Sequence, residues 1–591
     1  MFRAKTLLAS SMIAVFAMAA CGAADPERPR KIYGHYMGCF AAGTGAIHWH
    51  ATSGIETMDP PRELFNEKDP LKRRLGAWAR TSGGGTYRNF ALAPPEKQLS
   101  LREAARLEIQ RAMRIGLDGF TFDAWAGGAG AREQLDVMFD ICEKENLPFE
   151  LTITLDTSCL DPNDKDLAHY EGNVWEKTIR WLLDKHGDSP NLARRDGKVL
   201  IMGYQSVWPG QYYISQHVKR TMPDATDAQR KVEEDRLRCS EAGWKMIVEA
   251  YRQMEKNIGQ PIYWEFCVSA LFHGVGRQPP NETFVRAAAF LAKEFPGLGM
   301  FIWEGPVPEI ARAVIGAGAE WSHPMKMQYE NFGYMQVASP GLDWVRGDWA
   351  AARSLPSTLI QQITWNDYHE ATNLSPGYNT RYAYYDLMGE FIRWWKTGKE
   401  PASDRDKVYL FSHKYAAGTR MFPFRARSRA DNQIEIVTIL PRPATLRVPG
   451  RKTTDGESEW EAPAGMSFKR FPLTPGPVSV ELVRDGKVEV RLDSPEPVSD
   501  RPFRQDTGKV AISTECARLW EEDFGTRVPM FNYSEYGDAD GDGLPNWFEM
   551  LWWGKFGDMK TATAAEPGAD PAGTGKTNLQ HYLGQTDPTK K

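Results

Sequence analysis

Between Arg30 and about Glu400, short apolar runs alternate with amphipathic stretches, and this alternation limits the choice of fold more than any other feature of the chain. Eight runs read as strands: Lys31–Met37, Gly119–Ala124, Phe149–Asp156, Val199–Tyr204, Pro261–Phe266, Gly299–Glu304, Met325–Gln328 and Leu359–Trp365. Between them, RLEIQRAMRIG, REQLDVMFDICEKEN and NVWEKTIRWLLDKHG repeat apolar residues at helical spacing. Strands that alternate with helices pair in parallel, so the expectation for residues 30–400 is a closed (β/α)8 TIM barrel. The seventh run sits inside SHPMKMQYENFGYMQ, which also reads as a long loop. YAYYDLM and the following GEFIRWWKTGKEP read as the last helix, where the spacing of Trp394 and Trp395 suits packing.

Past Pro401 the composition changes. Val408–Tyr415, Ile434–Ile439, Ala444–Val448 and Val478–Leu492 have strand patterns separated by Gly- and Pro-containing turns. They predict an all-β, sandwich-like domain over 405–497. It either covers one side of the barrel or binds carbohydrate, and without an exposed aromatic row the covering role is the expectation.

A third segment, 505–591, carries the clearest ligand pattern. Asp538, Asp540, Asp542, Gly543 and Glu549 occupy positions 1, 3, 5, 6 and 12 of a calcium loop, with the Leu544 carbonyl at position 7. Alternating carboxylates turn inward around a hard cation, and glycine permits the tight turn. The segment resembles the calcium loops of dockerins and related repeats on secreted bacterial proteins, which implies Ca2+ as a structural ion. A degenerate second copy reads in ADPAGTGKTNLQHYLGQTDP: Asp570 and Gly575 match, whereas Ala572, Thr574 and His581 stand at ligand positions.

Arg3 and Lys5 followed by LLASSMIAVFAMAA predict a signal peptide over residues 1–20. Met18-Ala19-Ala20-Cys21 resembles a bacterial lipoprotein box, so Cys21 is the expected site of a lipid tether to a membrane; ordinary cleavage near Ala20 to Ala24, giving a secreted protein, is the alternative. The six later cysteines lack the paired spacing of a zinc site, and their pairing is not legible. A net charge of −5 with scattered basic residues argues against a nucleic-acid partner. No protein partner can be read from the pattern.

The expected strand ends bring acidic and aromatic side chains to one face. Tyr33 and His35 come from the first strand, Asp123 and Trp125 from the second, and Asp156 from the third. Gln205 and Trp208 follow the fourth, Glu265 ends the fifth, and Trp303 and Glu304 lie on the sixth. The last strand runs into TWNDYHEAT, with Trp365, Asn366, Asp367 and Glu370. Acidic and aromatic groups at barrel strand ends suit a sugar in a cleft, and glycosidic cleavage uses two carboxyl groups. Glu304, beside Trp303 and Gly305-Pro306, is the first choice of acid; Asp156 and Glu265 are its leading partners, and Glu370 faces substrate. Tyr33, His35, Asp123, Trp125, Gln205, Trp208, Trp303, Trp365, Asn366 and Asp367 are the expected sugar contacts, with no catalytic cofactor. Gly127-Gly128-Ala129-Gly130 lacks the spacing of a nucleotide fingerprint.

KIYGHYMG, GLDGFTFDAW and TWNDYHEAT together resemble glycoside hydrolase family 71 over residues 30–398. The resemblance implies a (β/α)8 catalytic domain with associated β structure, and endo-hydrolysis of α-1,3-glucan with inversion by acidic residues of the barrel. It matches Trp365, Asn366, Asp367, Tyr368 and Glu370, while His369 and Ala371 replace residues that are usually Gly and Ser. A related endo-α-mannosidase-like family has a similar loop, so α-mannan or another α-glycan stays open as substrate. A non-catalytic carbohydrate-binding protein is the reading from a different class.

Overall fold

The computed structural model describes residues 28–38, 99–123, 129–156, 160, 163–204, 207–268, 282–299, 308–327, 329–331, 336–338, 341–368, 371–377, 379–416, 432–501, 509–526, 534, 536–553, 562–584, 586 and 588–589. The large sheet is built from β1 (Lys31–Met37), β2 (Gly119–Asp123), β3 (Glu150–Asp156), β4 (Arg194–Arg195), β5 (Lys198–Tyr204), β6 (Ile262–Cys267), β7 (Gly297–Gly299), β8 (Glu320–Lys326) and, beyond the hairpin of β9 (Tyr329–Asn331) and β10 (Gln336–Ala338), β11 (Leu359–Ile363). Its neighbours run β3-β2-β1-β11-β8-β7-β6-β5-β4, with β3 also paired to β5. Every pairing is parallel except that of the two-residue β4.

The expectation of a closed (β/α)8 TIM barrel is corrected here. Seven strands wrap 219° as an open half-barrel whose edges stand 11 Å apart. Adjacent strands lie about 4.8 Å apart, so that gap is roughly two spacings. The thin place in the wall is β7, three residues long and paired over three positions to β6 and to β8. Apolar runs mark strands without stating how many residues each will pair, and Gly297-Leu298-Gly299 pairs too few to make a full stave.

Helices cover the outside of this sheet, and their ends are written in the chain. Helix α1 (Leu101–Ile115) starts at Ser100, which forms a capping box with Glu103, and stops at Gly116 in the left-handed region at φ 94°. Helix α2 spans Ala129–Lys144, and α3 (Val174–His186) has a second capping box, Asn173 with Glu176. Further helices α4 (Val207–Thr221), α5 (Asp227–Arg238), α6 (Glu241–Ile258), α7 (Glu282–Ala292), α8 (Pro308–Gly316), α9 (Leu342–Ser354) and α10 (Ala383–Thr397) follow. On α10, Trp395 is fully buried, as the packing reading requires.

The β region consists of two four-stranded antiparallel sheets, consistent with a sandwich. Its strands are β12 (Lys407–His413), β13 (Gln433–Leu440), β14 (Ala444–Arg447), β15 (Glu459–Ala462), β16 (Gly465–Pro472), β17 (Ser479–Arg484), β18 (Lys487–Asp493) and β19 (Lys509–Ser513). One sheet runs β16-β13-β12-β19 and the other β15-β14-β17-β18. Leu410, Ile436 and Phe471 of the first pack with Leu446, Val480 and Leu482 of the second. The single run expected over Val478–Leu492 is a hairpin, because Asp485 and Gly486 both take positive φ (50° and 73°) and turn the chain in two residues.

Buried charges join this region to the half-barrel. Lys407 Nζ lies 3.0 Å from Asp386 and 2.6 Å from Glu390 of α10, and the Tyr409 hydroxyl donates to Asp386. Helix α11 (Cys516–Phe524) carries Asp523, which pairs with Arg111 and Arg114 of α1 at 2.6 Å each. Removing one member would leave its partner charged and buried, so such contacts lock an orientation more than they add stability. Among the described residues, Cys142 and Cys516 are buried cysteines outside any disulfide.

Candidate active site

Side chains alternate along each strand, which sorts the inward face of the large sheet into levels. At the N-terminal end, Tyr33, Leu200, Tyr263 and Leu359 pack together. Below them Glu320 is held by Arg195, Thr358 and Tyr263, with Arg195 Nε donating to Oε2 at 3.1 Å. This paired, apolar-capped floor is structural. Tyr33, expected as a sugar contact, belongs to it: the ring is fully buried and its hydroxyl donates to Glu150 at the start of β3.

One level nearer the C-terminal ends the lining turns polar. His35 Nδ1 stands 3.1 Å from Thr154 Oγ1, which is 3.2 Å from Met202 Sδ, and Gln361 donates to Thr121 Oγ1 at 2.7 Å. In register with Met202 across β5 and β6 is Glu265. The Ser322 hydroxyl donates to Glu265 Oε1, while Oε2 is buried with no hydrogen-bond partner among the described residues. Ser322 reaches across β7 because β7 places glycines there: Gly297 pairs with Glu265 and Gly299 with Ser322. A Cβ on Gly297 would stand 2.7 Å from the Tyr263 ring, so this wall stays bare.

Burial pushes the Glu265 carboxyl up to about 7, opposed by the Ser322 hydrogen bond and raised further by Glu320. A carboxylic acid that keeps its proton near neutrality at the polar level of the large sheet has the property a general acid needs. Burial also holds His35 neutral, down to about 3, so it serves as a hydrogen-bonding group and not as a cation.

Asp123 and Asp156 are the last residues of β2 and β3, and both are buried. Asp156 pairs in register with Tyr204, two residues beyond the Met202 level, so it lies nearer the strand ends than Glu265. Asp123, Asp156, His35 and Glu265 are therefore brought to one end of one sheet.

The turn after β11 behaves differently from the expectation. Trp365 is fully buried against Phe120, ring centroids 5.3 Å apart, and its Nε1–H donates to Glu108 of α1. It faces away from the lining and has no ring face left for a sugar. Asn366 accepts from Met37 N at 2.7 Å and donates to Met37 O at 3.1 Å, clasping the ends of β1 and β11. Asp367 is buried in the turn, its amide donating to Thr364 Oγ1 at 2.8 Å. Trp125, Gln205, Trp303, Glu304 and Glu370, and the side chain of Trp208, lie outside the described residues.

Ser322, Thr154 and Glu108 are the partners that sequence reasoning missed. Ser322 was hidden because the strand expected at Met325–Gln328 begins at Glu320. Glu108 had a usable signal, a carboxylate on the buried stripe of α1 with Ala104, Ala105 and Ala112.

In the tail, side-chain oxygens of Asp538, Asp540 and Asp542 lie within 4.8 Å of one another, an arrangement able to coordinate a metal ion. Asp538 also accepts from Gly541 N (2.8 Å) and Gly543 N (2.9 Å). Glu549 is fully buried with Oε1 accepting from Ala565 N at 2.9 Å and Oε2 without a partner, and burial reinforced by the three aspartates pushes it up to about 7. The three clustered aspartates could coordinate a hard cation, and Glu549 nearby has an oxygen without a hydrogen-bond partner among the described residues. Leu544, at position 7 of the loop, is buried. Among the described residues no helix is long and apolar enough to cross a membrane; residues 1–20 and Cys21 lie outside them.

No protein-family model matches the chain, and no curated protein matches it. Among solved structures, it is similar to the GH99 endo-alpha-mannosidase from Bacteroides thetaiotaomicron, at 11% identity and TM-score 0.34, over 55% of this chain and 87% of that one. A glycoside hydrolase-like protein aligns at 12% identity and TM-score 0.32, over 52% of this chain and 89% of that one. A Bacteroides uniformis beta-glucuronidase aligns at 12% and 0.32, over 70% and 46%. Likenesses this distant assign neither a reaction nor a substrate.

Proposed function

We propose that the protein is an exported glycoside hydrolase acting on an α-linked polysaccharide, with Glu265 as the proton donor. The observation that carries this reading is Glu265 itself: a carboxyl buried at the polar level of the large sheet, raised to about 7, with one oxygen partnered by Ser322 and the other idle among the described residues. A donor to a glycosidic oxygen must hold its proton until the leaving group takes it. Asp156, nearer the strand ends, is the partner carboxylate; Asp123 and His35 orient sugar hydroxyls. Glu304 is the alternative acid, and Glu370 stays in the proposed set as a substrate-facing group.

The resemblance of KIYGHYMG and TWNDYHEAT to glycoside hydrolase family 71 supports α-1,3-glucan as the first substrate, cleaved internally with inversion. Ca2+ in the 538–549 loop is proposed as structural, and a lipid on Cys21 as the tether of the exported enzyme.

Purified protein is incubated with α-1,3-glucan, α-mannan and α-1,4-glucan, and the products are resolved by mass and chromatography. Oligosaccharides from α-1,3-glucan alone support the proposal in full. Release from α-mannan or α-1,4-glucan moves the substrate. Glycan retention without products in any of the three would replace the enzyme with a carbohydrate-binding protein.

A further inference from the structure

The tail repeats itself. Asp538 and Asp570 stand 32 positions apart, and several hydrogen bonds that shape the first loop recur at that offset; Gly541 N to Asp538 Oδ1 and Ala539 N to Asn546 Oδ1 belong to the first loop, and position 571 is a proline with no N–H to offer. Asp538 accepts from the amides of Asp542 (3.2 Å) and Gly543 (2.9 Å); Asp570 accepts from those of Thr574 (2.8 Å) and Gly575 (2.7 Å). The Asp542 side chain accepts from Leu544 N, and the Thr574 side chain from Lys576 N. Asn546 donates through Nδ2 to Ser534 O and Asn578 to Glu566 O, both at 2.8 Å. Gly541 and Gly543 have φ of 76° and 95°, and Gly573 and Gly575 have 62° and 82°. Each loop then enters a seven-residue helix, Asn546–Trp552 and Asn578–Gly584.

The two copies differ where a cation would sit. In the first, three aspartate oxygens crowd together and Glu549 Oε2 is buried without a partner. In the second, Ala572, Thr574 and His581 stand at the places of Asp540, Asp542 and Glu549, and the centre is bridged directly. Thr574 Oγ1 lies 3.0 Å from Asp570 Oδ1 and 2.7 Å from His581 Nε2, and His581 Nδ1 lies 2.7 Å from Thr586 Oγ1. Thr574 Oγ1 also lies 3.1 Å from Lys576 O; with its proton on Asp570 or on Lys576 O, the His581 tautomer that completes the chain donates Nε2–H to Thr574 and accepts from Thr586 at Nδ1.

We infer that the tail is a duplicated unit holding a single divalent cation, bound in the first copy, while the Asp570–Thr574–His581 chain replaces the cation in the second. A carboxylate cage needs a positive charge at its centre, whereas a carboxylate, a hydroxyl and an imidazole satisfy one another. The inference rests on the proposed cation in the first loop. It goes beyond that reading by assigning the stoichiometry and the residues that decide it.

The test is titration of the chelator-treated full-length protein with Ca2+ by calorimetry, with native mass spectrometry counting bound ions. One ion per chain is expected, lost with Glu549→Gln and retained with Asp570→Asn. The triple variant Ala572→Asp, Thr574→Asp, His581→Glu restores the missing ligands and should bind two. Thr574→Val should keep one ion yet raise amide exchange over residues 562–584, because it cuts the replacement bridge. Two ions on the unaltered chain, or loss of an ion in Asp570→Asn, overturns the inference and leaves the first loop intact. No ion at all overturns the first-loop reading, and the inference with it.

Discussion

Trp365, at the end of the large sheet, donates its indole N–H to the carboxylate of Glu108 in the first helix, 257 residues earlier in the chain. Ser375 donates to the same Glu108 oxygen at 3.2 Å, and the Tyr368 hydroxyl lies 3.2 Å from Ser375 Oγ. The turn that follows β11 is thus anchored to helix α1. Glu108 in turn lies 3.9 Å from Arg111, which pairs with Asp523. A continuous buried chain of polar groups runs from α11, beside the β region, to the last strand end.

Trp365→Phe keeps most of the packing and deletes one donor to a buried carboxylate. The expected cost is about 1–3 kcal/mol, read from the midpoint of urea unfolding, because the Glu108 oxygen keeps only Ser375 of its two donors while staying desolvated. An unchanged midpoint would show that the indole N–H contributes nothing.

Asp523→Asn removes the nearer carboxylate of buried Arg111, leaving Glu108 at 3.9 Å. A loss on the order of 3–5 kcal/mol is expected by the same measurement. The double variant with Arg111→Met should recover part of it, since removing both charges avoids the unpaired one.

Glu265→Gln should lower turnover about 100-fold or more on whichever glycan the enzyme cleaves, with folding unimpaired by circular dichroism. For the unaltered enzyme, turnover should fall as pH rises through about 7, where Glu265 loses its proton. Ser322→Ala removes a hydrogen bond that favours the ionised form, so that limb should move to higher pH. Full activity in Glu265→Gln would return the acid role to Glu304.

The same carboxyl links stability to pH. Its folded-state value, about 7, lies above its ordinary 4.5, so the folded state holds the proton more tightly. The contribution is complete below pH 4.5 and is lost as pH rises from 4.5 to about 7, on the order of 3 kcal/mol in all. Thermal melts across this range should slope downward for the unaltered chain and less steeply for Glu265→Gln.

Much of the secondary structure is legible before any tertiary contact forms. The Ser100–Glu103 and Asn173–Glu176 boxes start helices and Gly116 and Gly398 end them, whereas the Asp485-Gly486 turn goes unmarked in the single run expected at Val478–Leu492. These are local effects, decided within a few residues by backbone geometry and capping. The 538–549 ligand spacing is local in the same sense.

Which side chains line the cleft is not local. Tyr33 and Trp365 carry the right chemistry for sugar contact, but strand register sends one to the floor and the other to the helix layer. Glu265 looked no more acidic or basic than Asp156 or Glu304; its raised value comes from burial, which the Ser322 hydrogen bond across the glycines of β7 only partly opposes. Closure failed for a related reason, since apolar runs count strands but not paired residues. The sequence alone thus determined the alternation of elements, their caps and the tail's ligand set, because each depends on neighbours along the chain. Only tertiary structure decided the open wall and the desolvated carboxyl, because burial and register are set by residues hundreds of positions apart.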